Sequence, residues 1–274
     1  MTKELTVELT DDEIISEAIK IVKEAESRGI ILRIMGALAI RIHSAGLEEM
    51  HKRLGRLGEE TGRSFTDIDL IGYSSQRAGI RELMEKDLKF NISRQFLLLH
   101  GKDRLVYYHP MNLYHIDIFF DKLSFSHTIP FGKKGNGRLE LDSPTITPTD
   151  LFLEKIQIHQ ITEKDIKDII VLLRSHGLGE DDGDKINTLH ISRLLGDDWG
   201  FWMDATENIR KTIKYAEKYF EQSLINNDDL KDVSEKCLKI LELLEHCPKT
   251  KNWEKRAKKG TKEKYWNDVE ELYR

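Results

Sequence analysis

Cysteine is nearly absent from this chain of 274 residues, which has only Cys237 and Cys247. They form no CxxC pair, so neither a disulfide framework nor a thiolate zinc or redox motif is written into the sequence. No apolar run approaches the length of a membrane span, which argues against a membrane partner. The first residues, MTKELTVELTDDEI, are acidic and polar where a leader would be basic and then apolar, so a reducing cytoplasm is the expected home. Positive charge is not in excess either. Lys and Arg number 43 against 48 Asp and Glu, and the net charge of -5 excludes a uniformly basic nucleic-acid binder while leaving local patches open. The 10 histidines fall into no HExxH or other zinc pattern, so none is assigned to a metal. The acidic GEDDGD around Asp181 lacks the ligand spacing of an EF-hand and reads as a loop.

What is present begins with a clear helix. In TDDEIISEAIKIVKEAESRG, Thr10 and Glu13 form a capping box, Ile14, Ala18, Ile21, Val22 and Ala25 make an apolar stripe, and Gly29 is a C-terminal stop. IILRIM, residues 30–35, reads as a short strand. Gly36 follows, and ALAIRIHSAG resumes helical spacing. A strand, a glycine and a helix in that order leave backbone N–H groups at the positive end of a helix dipole, which suits an anion. The polar run from Gly46 to Gly62 reads as one helix and a turn. QRAGIRELMEKD reads as a helix, and QFLLLHGKDRLVYYH as two strands joined by a glycine-containing turn.

Two apolar strands carry acids that stand out. In RSFTDIDLIGYS, residues 63–74, Asp67 and Asp69 point to one face of a strand and Ile68 and Leu70 to the other. Two like charges so close repel, and such a pair has either a cation or open solvent beside it. In LYHIDIFFDKL, His115, Asp117, Phe119 and Asp121 share one face, and Ile116, Ile118 and Phe120 the other. A wet strand end would have to be invoked twice.

The order of a strand, Gly36-Ala37, a helix, Asp67-Ile68-Asp69 on a strand and Asp117 on a later strand resembles the nucleotidyltransferase superfamily that includes DNA polymerase β. Among its branches the chain is most similar to the abortive-infection and toxin-type (AbiEii-like) nucleotidyltransferases. The features carrying that likeness are Arg63 and Ser64 just before the DxD, and LFLEKIQIHQITEKDIKDII with Glu154, Lys155, Lys164, Asp165 and Asp168. The likeness spans roughly residues 30–175. The sequence has Ala37 where that superfamily has Gly or Ser, and a longer spacer between Gly36 and Asp67. The resemblance implies that Asp67, Asp69 and Asp117 are catalytic and hold two Mg2+ ions, with Asp121 the alternative to Asp117 in another strand register. It implies that Gly36, Ala37, Arg63, Ser64 and Lys155 bind the nucleotide of an NTP substrate. Asp117 is also the candidate general base. The acceptor hydroxyl it implies belongs to an RNA or tRNA end, or to a small molecule of the aminoglycoside type, and a cognate antitoxin becomes a possible partner. A nucleotide-binding protein with a decayed site is the non-catalytic alternative.

Two domains are expected, residues 1–145 and 146–274. The class is α+β, with a nucleotidyltransferase-fold mixed sheet flanked by helices and then an all-helical C-terminal domain. Thr147 as N-cap and Pro148 at the first helical position open that second part. Trp199, Phe201 and Trp202 are expected to pack between its helices. Residues 249–266, KTKNWEKRAKKGTKEKYW, carry eight basic groups against Glu254 and Glu263, with Trp253, Tyr265 and Trp266 interleaved. This segment is either a solvated terminal helix or a grip on RNA phosphates and bases.

Overall fold

The computed structural model describes residues 9–57, 64–101 and 103–268. Its first helix, α1 (Asp11–Glu26), starts on the expected capping box, with the Thr10 N–H donating to Glu13 and the Glu13 N–H donating to the Thr10 hydroxyl. The stripe from Ile14 to Ala25 is buried as the spacing predicts. Then follow β1 (Leu32–Ile34), α2 (Gly36–His43), α3 (Glu48–Leu54), β2 (Asp67–Gly72) and α4 (Arg77–Glu82), which continues as a π-helical turn over Leu83–Asp87. Next come β3 (Asn91–Ile92), α5 (Arg94–His100), β4 (Arg104–Tyr108) and β5 (His115–Phe120). The remainder comprises β6 (Lys122–Ser124), β7 (Thr128–Pro130), α6 (Pro148–Ile156), α7 (Glu163–Ser175), β8 (Gly177–Gly179), β9 (Lys185–Asn187), α8 (Thr188–Leu195), α9 (Trp199–Glu221), α10 (Asn227–His246) and α11 (Lys251–Ala257).

The fold is α+β. Its main sheet is mixed, in the order β1-β2-β5-β4-β3, with β2 and β5 parallel at its centre and the other pairings antiparallel. The described residues of Met1–Ile42, Leu57–Lys122 and Phe131–Ile146 make one compact unit around this sheet, and those of His43–Arg56, Leu123–Pro130 and Thr147–Arg274 make a second, mainly helical unit. Segments 43–56 and 123–130 thus group with the helical part and not with the sheet. The second unit is not wholly helical, because β8 and β9 pair within it. Among the described residues no helix is long and apolar enough to cross a membrane.

One expectation is corrected. QFLLLH, expected as a strand, lies in α5, where the Ser93 hydroxyl accepts the Phe96 N–H as an N-cap. The run has leucines and no β-branched residue, and leucine is among the better helix formers, so a capping serine tips it.

Close approach of β1 to β2 depends on Gly72, opposite Leu32 in the register. A Cβ there would stand 2.9 Å from Ile80 Cδ1 and 3.2 Å from the Ile31 carbonyl oxygen. Gly72→Ala is expected to destabilise the protein by about 1–3 kcal/mol through overpacking, measured by urea unfolding. An unchanged midpoint would mean that β1 has room to move.

Candidate active site

Strands β2 and β5 run parallel with Asp69 directly opposite Asp117 and Asp67 opposite His115. Paired residues of a parallel ladder project to the same face, so the three acids and His115 share one patch. The opposite face is apolar, with Ile68, Leu70, Ile116 and Ile118 all fully buried. Asp67 and Asp69 are half-buried, whereas Asp117 is only 4% exposed.

Asp117 forms an ion pair with Arg104 of β4, whose guanidinium also lies over the Phe119 ring. Sequence reading did not single out Arg104; its spacing on β4 carries no motif, and only the strand order brings it to Asp117. The pairing leaves Asp117 Oδ1 buried with no hydrogen-bond partner among the described residues. Burial pushes the Asp117 carboxyl above its usual range, against the opposing pull of Arg104 and His115, and Asp67 adds to the rise. His115 Nε2 lies 3.6 Å from Asp67 Oδ2. An orphaned, buried carboxylate oxygen beside two further carboxylates is a donor set that suits a hard divalent cation such as Mg2+. Asp121 lies outside this patch. It has left β5, takes a positive φ of 59°, and accepts the Ser74 N–H at 2.9 Å.

The turn at Gly36 belongs to the same unit. Gly36 has φ of 69°, in the left-handed region that favours glycine, and it opens α2 with Ala37 next to it. The preceding Met35 N–H donates to the Asp69 carbonyl at 3.0 Å, which ties this helix start to the acid-bearing strand. The Ser64 N–H donates to the Asp11 carboxylate at 3.0 Å. Arg63 lies outside the described residues.

No family model and no curated protein matches this chain. One solved structure similar to it is that of an antigenic nucleotidyltransferase-like protein from Paracoccidioides brasiliensis, at 13% identity and a TM-score of 0.43, covering 82% of this chain and 95% of that one.

Lys155 sits in the second unit, 5% exposed, inside a cluster of acids. Its ammonium is 3.0 Å from Asp168, 3.4 Å from Asp165 and 3.9 Å from Glu154, and Arg56 reaches Asp168 at 3.0 Å. The Glu-Lys and Lys-Asp segments of the sequence therefore meet in three dimensions, except for Lys164, which is exposed. Burial by itself would lower the Lys155 pKa, but the three acids outweigh it and hold it above the ordinary value.

The basic segment after residue 248 spends its aromatic rings on packing. Trp253 meets Trp202 edge to face at 5.4 Å, Trp266 stacks on His159 at 3.6 Å, and the Tyr265 hydroxyl donates to Asp204 at 3.2 Å. Arg256 is also engaged, donating to the Gly260 and Glu263 carbonyls. Lys255, Lys258 and Lys262 remain exposed. Trp199 and Phe201 are buried as expected.

His43, His176 and Asp184 of the second unit come together with ligand-type atoms within 4.8 Å of one another. No short-range motif announces this, since His43 and His176 are far apart in sequence. Burial, with His43 beside it, lowers the His176 pKa.

Two outcomes follow. Because the folded-state pKa of Asp117 is raised above its usual 3.8, its contribution to stability is fully present below that value and is lost as pH rises through the folded pKa. In chelator, the melting temperature of Asp117→Asn relative to wild type should therefore climb between about pH 3 and about pH 8. A flat difference would refute the raised pKa. Lys155→Met should cost about 3–5 kcal/mol in urea unfolding, since it strips the cation from a buried acid cluster; a cost under about 1 kcal/mol, the worth of an exposed pair, would mean that the cluster is wet.

Proposed function

We propose that this chain is a Mg2+-dependent nucleotidyltransferase that moves a nucleoside monophosphate from an NTP to an acceptor hydroxyl and releases pyrophosphate. The observation that supports it most is the Asp69–Asp117 register, which gathers three carboxylates on one face, one of them buried with an oxygen that has no hydrogen-bond partner among the described residues. Two Mg2+ ions on Asp67, Asp69 and Asp117 would supply charge stabilisation to the attacking and leaving oxygens. The chain's own groups do the rest. Asp117 is the group placed to take the proton of the acceptor hydroxyl as general base. The acceptor oxygen bonds to the α-phosphorus as the bond to the bridging oxygen breaks, and pyrophosphate leaves with that electron pair. Backbone N–H groups at the start of α2, turned by Gly36, face phosphate oxygens. Arg104 balances the Asp117 charge while no cation is bound.

For the acceptor we propose an RNA end. Exposed Lys255, Lys258 and Lys262 supply phosphate contacts, and the rings of Trp253, Tyr265 and Trp266 do not stack on bases because they are engaged elsewhere.

Incubation with Mg2+, each labelled NTP and total RNA should place label on RNA. Asp69→Asn should reduce this by more than about a hundredfold, beyond the effect of removing a group that only supports a metal ligand, with an unchanged circular dichroism spectrum. Mg2+ plus NTP should raise the melting temperature of wild type and not of Asp69→Asn; equal shifts would refute the metal assignment. Replacing Lys255, Lys258 and Lys262 by Ala should reduce the salt slope of RNA binding by roughly 0.7 for each phosphate no longer neutralised. Label on a small-molecule hydroxyl instead would overturn the RNA reading and keep the transfer reading.

A further inference from the structure

The segment between α7 and α8 has an unusual build. Strands β8 and β9 pair in parallel, Gly177 opposite Lys185, although only residues 180–184 connect them. Parallel strands ordinarily need a crossover of about a dozen residues or more. The short connection is Glu180-Asp181-Asp182-Gly183-Asp184, four carboxylates in five residues. Two of these acids bond within the segment, since Asp182 accepts from the Asn187 side chain at 2.9 Å and Asp181 accepts the Gly183 N–H at 3.1 Å.

This register sets the residues just before the two strands side by side. His176, the C-cap of α7, is 3% exposed, and its Nδ1 lies 3.0 Å from Oδ1 of Asp184, whose side chain is 87% exposed. That approach lacks hydrogen-bond geometry, and neither ring nitrogen of His176 has a hydrogen-bond partner among the described residues. His43, the last residue of α2, meets the His176 ring edge to face at 5.2 Å. Two imidazoles and a carboxylate thus converge, with one buried imidazole unsatisfied, in the field of an acidic loop. An unsatisfied buried polar group is costly, and a cation bound there would relieve it.

We propose that His43, His176 and Asp184 form a binding site for a zinc-class divalent cation that fastens the acidic loop to the end of α2. The donor set selects the ion. Imidazole nitrogen with one carboxylate suits Zn2+, Co2+ or Ni2+, whereas Mg2+ and Ca2+ take oxygen ligands. A tetrahedral ion with bonds of about 2.0–2.1 Å holds its ligands about 3.3 Å apart. The three groups, within 4.8 Å of one another, therefore close inward on binding, a movement the exposed Asp184 can make. Three protein ligands leave the fourth position to water. This site is separate in residues and in cation class from the acids of β2 and β5, and does not rest on the transferase reading.

The metal-stripped full-length chain is titrated with Zn2+ by calorimetry, and with Co2+ while the visible absorption of tetrahedral cobalt is followed. Wild type should take up one equivalent that excess Mg2+ does not displace. Asp184→Asn and His43→Gln should each weaken binding by at least about tenfold, and so should His176→Gln. Asp184→Asn changes an exposed side chain, so it stays informative if the buried His176 variant does not fold. Asp69→Asn should bind Zn2+ like wild type. The proposal fails if wild type shows no saturable uptake, or if Asp184→Asn and His43→Gln bind as wild type does. It fails equally if Asp69→Asn is the variant that loses the ion, which would assign the cation to the acids of the sheet.

Discussion

The site in the first unit depends on one pairing, that of β2 with β5. Asp69 stands beside Asp117 and Asp67 beside His115 only because the two strands run parallel in this register. The apolar side of the same strands enforces it. Ile68, Leu70, Ile116 and Ile118 are fully buried, and a slip of one residue would exchange them for the acids. The repulsion among the carboxylates is thus carried by hydrophobic burial on the reverse face. The neighbouring strands extend the effect: β4 brings Arg104 to Asp117, and the hydrogen bond from Met35 to the Asp69 carbonyl brings the Gly36 turn to the acid-bearing strand.

Two charge clusters in the molecule differ in how fully they are compensated. Around Lys155, one ammonium and the Arg56 guanidinium face Asp168, Asp165 and Glu154 at short range, and Lys155 is held firmly protonated. That arrangement is close to self-sufficient. Around Asp117, one guanidinium faces a buried carboxylate with Asp67 and Asp69 alongside, and one carboxylate oxygen has no hydrogen-bond partner among the described residues. That buried oxygen, and not the number of acids, is what sets the sheet face apart from the Lys155 cluster.

The second unit uses polar groups to order its C-terminal segment. Asp204 of α9 receives His127 at 2.7 Å, His159 at 2.9 Å and the Tyr265 hydroxyl at 3.2 Å, and His159 in turn carries the Trp266 ring. A satisfied network of this kind rigidifies what it joins. The basic segment is in consequence a docked surface with outward lysines.

The sequence by itself determined the local pieces. The Thr10–Glu13 capping box, the Thr147-Pro148 helix start, the strand around Asp67 and Asp69, and the shared face of Asp117 and His115 follow from caps and from periods of 3.6 and 2, which act between near neighbours. Where local preference is evenly balanced, as in QFLLLH, one capping serine decided against the expected strand. Tertiary structure alone decided what depends on strand order and helix docking: Asp117 over Asp121 as the partner of Asp69, Arg104 as its counter-charge, the acids that enclose Lys155, and the meeting of His43 with His176 and Asp184. These contacts join residues from about ten to more than a hundred positions apart, and no periodicity within one element encodes which other element will lie beside it.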